Sequence, residues 1–461
     1  PSHGACAFQT GCWPWTMAAD DLLIGVRTGV YGAGAAIALS APDRLRHTYV
    51  IGQTGTGKST LLKHLVLQDI RAGRGCALID PHGDLAREIL EHIPPERSDD
   101  LIYFNPTDRE HVPALNLLAG VPPQERDRTA AEVVSTFRYL WADTWGRGRM
   151  QYVFKNTVAA LLDFPEDPGT SLLGIPRMFA DSSYRRRIIR HIKNENVRRF
   201  WEAEYASYPK SFEVEAISPI QNKVGQFLLS TTLANILGQA KSTIDLPFTM
   251  NTRRIFLANL SKGELGEDDA NLLGSLLLTA FYLAALKRTK TPEPERIPFH
   301  LYIDEFASFT TGAFTTILSE ARKFGLSLTL AHQYLDQIDP GIKSAVLGNV
   351  GTMILFRTGS GDAEELAHHF QDIPPHVFAE LATGRIVAKT LERREPTVTM
   401  GKTLPAAFPS YGRGQRLIAH SQNRHTRPRA VVEEKLLRWL RQHQERKGAG
   451  AYPQRRHKNK R

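Results

Sequence analysis

The sequence predicts an α/β fold: a mostly parallel β-sheet covered on both faces and interrupted by an inserted all-α domain. Three observations predict it. The stretch YVIGQTGTGKSTLL at 49–62 runs from apolar residues into a glycine loop and out through Lys-Ser-Thr into leucines. Short apolar runs then recur along the chain, separated by helical stretches. Between them, from about 121 to 246, lies an interval with no strand pattern.

The loop completes the pattern G-x-x-x-x-G-K-[ST] with Gly52, Gly57, Lys58 and Ser59. Glycines let backbone N–H groups turn inward around phosphate oxygens, the lysine faces the β- and γ-phosphates, and the Ser59 hydroxyl suits Mg²⁺. A helix starting near Lys58 aims its positive end at the anion. HTYVIG before the loop reads as a buried strand, and STLLKHLVLQDIRAG after it has helical spacing, which is the context such a loop needs. Gly52, Gln53, Thr54, Gly55, Thr56, Gly57, Lys58, Ser59 and Thr60 are the expected nucleotide-binding set, with ATP and Mg²⁺ as cofactors.

Further strands are expected at 76–81 (CALIDP), 101–106, 254–260, 300–306, 326–333, 352–359 and 385–390. Near-continuous apolar strands suit a parallel sheet with both faces buried. The interval 121–246 is too long for a crossover and shows 3.6-residue spacing in segments such as RMQYVFKNTVAALLDF. The resulting division has five parts: an unstructured leader at 1–16, with Met17 as the natural start; a hairpin and the first part of the core at 17–120; the all-α domain at 121–246; the second part of the core at 247–400; and a basic helix and tail at 401–461. The hairpin is DDLLIGVRTGVYGAGAAIALS, packed under the nucleotide domain.

A phosphate loop alone only binds nucleotide. Hydrolysis also needs a carboxylate on the metal side and a base for the attacking water. FHLYIDEF, at 299–306, ends a strand in Asp304 and Glu305. Asp304 is expected to hold Mg²⁺ with Ser59, and Glu305 to polarise the water. LSLTLAHQ ends the next strand in His332 and Gln333, where a polar pair can sense the γ-phosphate, since ligands of open α/β sheets bind at the carboxyl ends of strands. LIDPHGD offers Asp80, His82 and Asp84 as a weaker metal set, with a turn at Pro81 and Gly83 as the plainer reading.

The 461 residues carry a net charge of +10, unevenly placed. Residues 413–461 hold 15 Lys/Arg against 3 Asp/Glu, a net of +12, which leaves −2 for the rest. A basic end of this kind fits nucleic acid or another polyanion. The three cysteines, Cys6, Cys12 and Cys76, form no disulfide or metal framework and fit a reducing compartment. No apolar run is read as approaching the ~18 residues of a membrane span.

Taken together, HTYVIGQTGTGKSTLL, ALIDPHGDL, LYIDEFASF and EARKFGLSLTLAHQ, interrupted by a helical domain, resemble the HerA/FtsK class of P-loop motor, and within it the TraG/TraD-type coupling ATPases of conjugation and type IV secretion. The resemblance spans about 20–400. It implies a RecA-like core, a hexameric ring with ATP between subunits, and DNA driven through a central channel. It also implies an arginine just before the strand that ends in Gln, where Arg322 stands with Lys323 beside it. The local alternative pairs Arg322 with Glu320 or Glu305 in its own subunit, with Arg357 and Arg385 as rival arginines. The catalytic set is therefore Glu305, Arg322 and Gln333. Membrane coupling proteins usually carry amino-terminal transmembrane helices, and none is read here. A cytoplasmic location is expected, peripheral to the inner membrane through partners, with a relaxase or secretion components among them. The competing reading is a secretion ATPase of the VirB type, which powers pilus assembly or protein export without moving DNA.

Overall fold

The computed structural model describes residues 20–28, 34–140, 148–165, 169–310, 314–370, 373–392 and 395–441. The expected leader, Met17, Cys6, Cys12 and the last part of the tail, 442–461, lie outside these residues.

Eleven strands form one sheet: β1 (Leu22–Arg27), β2 (Ala36–Leu39), β3 (Thr48–Ile51), β4 (Gly75–Asp80), β5 (Leu101–Phe104), β6 (Ile255–Asn259), β7 (Phe299–Ile303), β8 (Leu326–His332), β9 (Thr352–Leu355), β10 (Arg385–Glu392) and β11 (Glu395–Thr403). Their order is β2-β1-β11-β10-β9-β3-β8-β7-β4-β6-β5. From β9 to β5 all pairings are parallel, with Val50 opposite both Ile354 and Ala331. The other four strands add an antiparallel meander at one side.

Each expected apolar run forms a strand. The reason is visible in the alternation of side chains. Tyr49, Ile51, Ala77 and Ile79 enter one core, while Val50, Cys76 and Leu78 enter the other. A parallel strand buried on both faces needs apolar residues at every position. The helix Lys58–Arg71 covers the second face with Leu61, Leu65 and Ile70, and the helix Glu267–Leu286 covers the first.

That second helix corrects the membrane expectation. Glu267–Lys290 is long and apolar enough to pass the length-and-composition test for a span, and 78% of its most apolar window is buried. It is the core helix under the sheet, with Phe281 wedged between Phe256 and Phe299.

The strand-poor interval is helical in its described residues, from Arg126–Leu140 through Arg149–Leu162 to Lys210–Leu229 and Leu246–Asn251. Its Phe137 and Phe154 share the core of the sheet's first face, and Thr136 hydrogen-bonds Thr279 at 2.8 Å.

Two features differ from expectation. The last strand expected is 385–390, with strand pattern lost after about 400, yet β11 pairs with β10 from Arg385–Lys402 to Glu392–Glu395 and then receives β1. Its half-exposed alternation carries too few apolar residues to stand out. The C-terminal segment also forms two helices where one was expected, Gly414–His425 and Arg429–Arg441. The first docks on β5, where the Ser421 hydroxyl accepts from Tyr103 N at 2.8 Å. The second lies on the helical interval, where Arg177 packs over the rings of Tyr184 and Trp439. The segment therefore straps the interval to the sheet. Residues 413–441 hold eight of the fifteen basic residues counted for the basic end, and Arg424, Arg427 and Arg429 are engaged with Asp99, Gln239 and the carbonyls of Asp108 and Arg109.

Candidate active site

The carboxyl ends of β3, β8 and β7 lie side by side, and the chain places one functional element on each. β3 runs into the glycine loop. Gly55 and Gly57 take φ values of 76° and 119°, which suit glycine and strain other residues. A side chain at Gly52 would come within 2.5 Å of Phe356 Cβ, so this glycine is needed for space. The loop is braced from both sides. Thr56 Oγ1 donates to the Gln53 carbonyl at 2.7 Å, Gln53 N donates to the Arg357 carbonyl at 2.8 Å, and Gly384 N donates to the Thr56 carbonyl at 2.9 Å.

Lys58 is the first residue of the following helix and is buried. Its ammonium donates to the carbonyls of Gly52 at 2.5 Å and Gln53 at 3.2 Å, within its own loop. Burial lowers its pKa, and the nearby carboxylates of Glu305 and Asp304 oppose that shift. The hydroxyl-bearing residues Ser59 and Thr60 are exposed at the start of the helix.

β7 ends at Ile303, and Asp304 follows it into a buried position. Its pKa is pushed up to about 7, chiefly by burial and then by the neighbouring charges of Asp80 and Glu305, while Lys58 pulls it down. A buried carboxyl of this kind carries its charge readily only when a cation is supplied. Glu305 takes φ 47°, a left-handed conformation uncommon for a residue with a side chain. Such strain concentrates at functional sites.

Gln333 joins the elements. Its Nε2 donates to Glu305 Oε1 at 2.8 Å, and its Oε1 accepts from Thr54 Oγ1 at 2.8 Å. One amide thus bridges the expected water-activating carboxylate and the phosphate loop. His332 does not share this position. It is fully buried, its Nε2 is 3.4 Å from the Tyr49 hydroxyl, and its ring meets Phe306 edge-on. Burial first, and then Lys58, lowers its pKa to about 3, so it stays neutral and structural.

Asp80, His82 and Asp84 do not form a metal centre. Asp80 accepts from His82 N and Ala86 N, both at 2.9 Å, and so fastens the turn into the helix Asp84–Leu90. Among the described residues no group of three or more His, Cys, Asp or Glu side chains is arranged to hold a metal ion. The metal donors available at the loop are Ser59 and Asp304, a hydroxyl and a carboxylate, which suit Mg²⁺ completed by water and phosphate oxygens.

The three arginines fall in different places. Arg357 and Arg385 stand at the loop edge of the sheet, beside the backbone that braces Gln53 and Thr56. Arg322 precedes β8, so the length of that strand, six steps of about 3.3 Å or roughly 20 Å, separates it from the loop of its own chain. It is exposed and its side chain forms no hydrogen bond or ion pair among the described residues, so the alternative pairing with Glu320 or Glu305 is absent there. Glu320 instead accepts from the Tyr282 hydroxyl at 3.0 Å. Sequence reasoning missed the Thr54–Gln333 link and the Gly384 brace. A strand-end Gln hinted at the first, whereas nothing in the sequence signals a partner 328 positions away from Thr56.

Residues 33–170 match the type IV secretion-system coupling protein DNA-binding domain. The resemblance to coupling ATPases is borne out. Among solved structures, the plasmid coupling protein TrwB in complex with the non-hydrolysable GTP analogue GDPNP aligns over 84% of this chain and 91% of its own, at 17% identity and a TM-score of 0.58. TrwB in complex with ADP and Mg²⁺ aligns over 85% and 95%, at 17% identity and a TM-score of 0.57. VirB4 of Thermoanaerobacter pseudethanolicus aligns over 85% and 98%, at 12% identity and a TM-score of 0.51. At these identities the likeness is one of fold, and it supports the RecA-like P-loop core. No curated protein matches the chain by sequence.

Proposed function

We propose that the protein is an ATP-driven motor that moves DNA, a coupling ATPase of conjugation or type IV secretion. The observation that carries this reading is the convergence of Lys58, Asp304, Glu305 and Gln333 on one sheet edge, in a chain whose residues 33–170 match a coupling-protein DNA-binding domain. Lys58 leaves its own loop carbonyls for the β- and γ-phosphates. Ser59 and Asp304 would hold Mg²⁺, which would supply charge neutralisation at the phosphates. Glu305 takes a proton from the attacking water. Before nucleotide binds, Gln333 holds Glu305, and a γ-phosphate oxygen offers its Nε2 a competing acceptor that frees the carboxylate.

The subunits assemble as a ring, by analogy with the family, and Arg322 acts across the interface. Its distance from its own loop and its lack of a side-chain hydrogen bond or ion pair among the described residues leave it available to a neighbour's γ-phosphate. A guanidinium fork matches phosphate oxygens bidentately, and such a finger is worth about 10³–10⁵ in rate. A relaxase that delivers the DNA and separately encoded membrane components are the fitting partners, with the motor on the cytoplasmic side.

The test is ATP turnover by the purified chain with and without single- and double-stranded DNA. DNA-stimulated turnover, lost in Lys58→Ala, is expected. Stimulation only by secretion components would favour the VirB-type alternative.

A further inference from the structure

A second cluster of positive charge lies outside the C-terminal end, within the part of the chain whose net charge is −2. Residues 184–199 read YRRRIIRHIKNENVRR, with seven Lys/Arg against one acid. They form the helix Ser182–Ile189, the turn after it and the helix Glu195–Arg199, capped by Asp181 and Asn194. Three of the seven cations have structural work. Arg185 donates to the carbonyls of Met178 and Phe179, Arg187 lies over the rings of Phe164 and Tyr184, and Arg198 pairs with Glu195. The other four, Arg186, Arg190, Lys193 and Arg199, are exposed and make no side-chain hydrogen bond or ion pair among the described residues. Arg186 and Arg190 sit one turn apart, and so share a face.

This segment reaches a cleft of about 1120 Å³ between the helical interval and the C-terminal end of the helix Glu267–Leu286. His191 and Lys193 line it, with Arg128, Lys241, Lys287 and Lys290 on its other walls. These four are also exposed and without a side-chain partner among the described residues. Four acids line it as well. Asp163 is held by Arg126 at 2.6 Å and by Lys193 N at 2.8 Å, and Asp245 caps the helix Leu246–Asn251. Glu125 and Asp127 remain as counter-charges. Uncompensated like charges repel one another and destabilise the folded chain, so five free cations lining one cleft, with Arg186, Arg190 and Arg199 on the segment that reaches it, fit a surface that meets a polyanion.

We propose that this arginine-rich face and its cleft form a docking surface for the phosphate backbone of DNA. The inference rests on the DNA-moving reading for its ligand, and it adds where on the chain the strand is held. Lys287 and Lys290 directly precede the segment leading to the start of β7, so the cleft lies at the sheet edge opposite the phosphate loop. Contacts there carry no part of the hydrolysis chemistry. Contacts to phosphates alone are independent of sequence and position the strand without reading bases.

The experiment uses the full chain with Arg186, Arg190, Lys193 and Lys241 all changed to Gln. Binding to a short mixed-sequence duplex is followed by fluorescence anisotropy over a series of salt concentrations. If all four meet phosphates, the log–log salt slope falls by up to ~3.6, at about 0.9 per contact. DNA-independent ATP turnover and the melting temperature stay at the wild-type level. A second variant, with Arg186 and Arg190 changed to Lys and with Lys193 and Lys241 untouched, keeps the charge and is expected to keep the slope. A wild-type slope and affinity in the Gln variant overturn the proposal and assign the face to an acidic protein surface. Failure of the wild type to bind DNA overturns the DNA-moving reading itself, which separates the two.

Discussion

Asp304→Asn should stabilise the nucleotide-free protein while abolishing its Mg²⁺-dependent chemistry. Asp304 is buried beside Asp80 and Glu305, and its pKa is pushed from the ordinary 3.8 to about 7. The sign follows from proton linkage. A carboxyl that ionises less readily in the folded chain than in the unfolded one costs nothing below pH 3.8. It opposes folding progressively as pH rises from 3.8 to about 7, and its cost is constant above that. At about 1.36 kcal/mol per pH unit, that span sets a ceiling of roughly 4 kcal/mol. Water entry and local relaxation reduce it, so about 1–3 kcal/mol is expected near neutral pH. The amide keeps the shape and removes the charge. Thermal melts of wild type and variant, in EDTA from pH 4 to 8, measure the difference directly. The variant's advantage should be near zero at pH 4, grow through pH 5 and 6, and level off above 7. Millimolar Mg²⁺ with a non-hydrolysable ATP analogue should stabilise the wild type more than the variant. An advantage that does not change with pH, or a variant less stable than wild type at pH 7, would refute the placement of Asp304 as an uncompensated buried carboxyl.

Other perturbations address the neighbouring groups. Glu305→Gln should bind ATP with little change in a filter assay yet turn it over about 10²–10⁴-fold more slowly, because the general base is lost. Thr54→Val removes one hydrogen bond, worth about 1 kcal/mol, from the Gln333 bridge, and DNA-free turnover measured in steady state should rise a few-fold as Glu305 is freed; no rise would mean that the bridge does not restrain the carboxylate. Mixing Arg322→Ala with Lys58→Ala subunits, each inactive alone, should restore turnover at hybrid interfaces. A mixture that stays inactive despite demonstrated cross-linking removes Arg322 from the interface. Truncation after Arg441 should lower the salt slope of DNA binding without changing the melting temperature, since it keeps the strap helices Gly414–His425 and Arg429–Arg441.

Much of the site was legible in the sequence because it is local. Gly52–Ser59 is a contiguous loop, and Asp304, Glu305 and Gln333 each directly follow an apolar strand whose end they mark. The signal failed where a segment's neighbours, not its own residues, make it a strand. β11 has the half-exposed alternation of an outer strand and is identified only by β10 and β1 on either side of it. His332 and Gln333 stand side by side in sequence with the same polar character. Their alternate directions from the strand send one into the core and the other to the loop.

The sequence by itself determined the class of fold, the phosphate loop and the identity of the carboxylates, because apolar periodicity and a glycine-lysine loop express local physics. Only the tertiary structure decided how those groups act on one another. The raised pKa of Asp304 requires burial and the approach of Asp80 from a different strand. The bridge from Thr54 through Gln333 to Glu305 spans residues 279 positions apart. The C-terminal residues that read as a free basic end became a strap in part because Ser421 meets β5 and Trp439 meets Arg177. Charge can be counted along a chain, but whether a cation is used up in holding the fold or left free for a ligand depends on what the fold brings beside it.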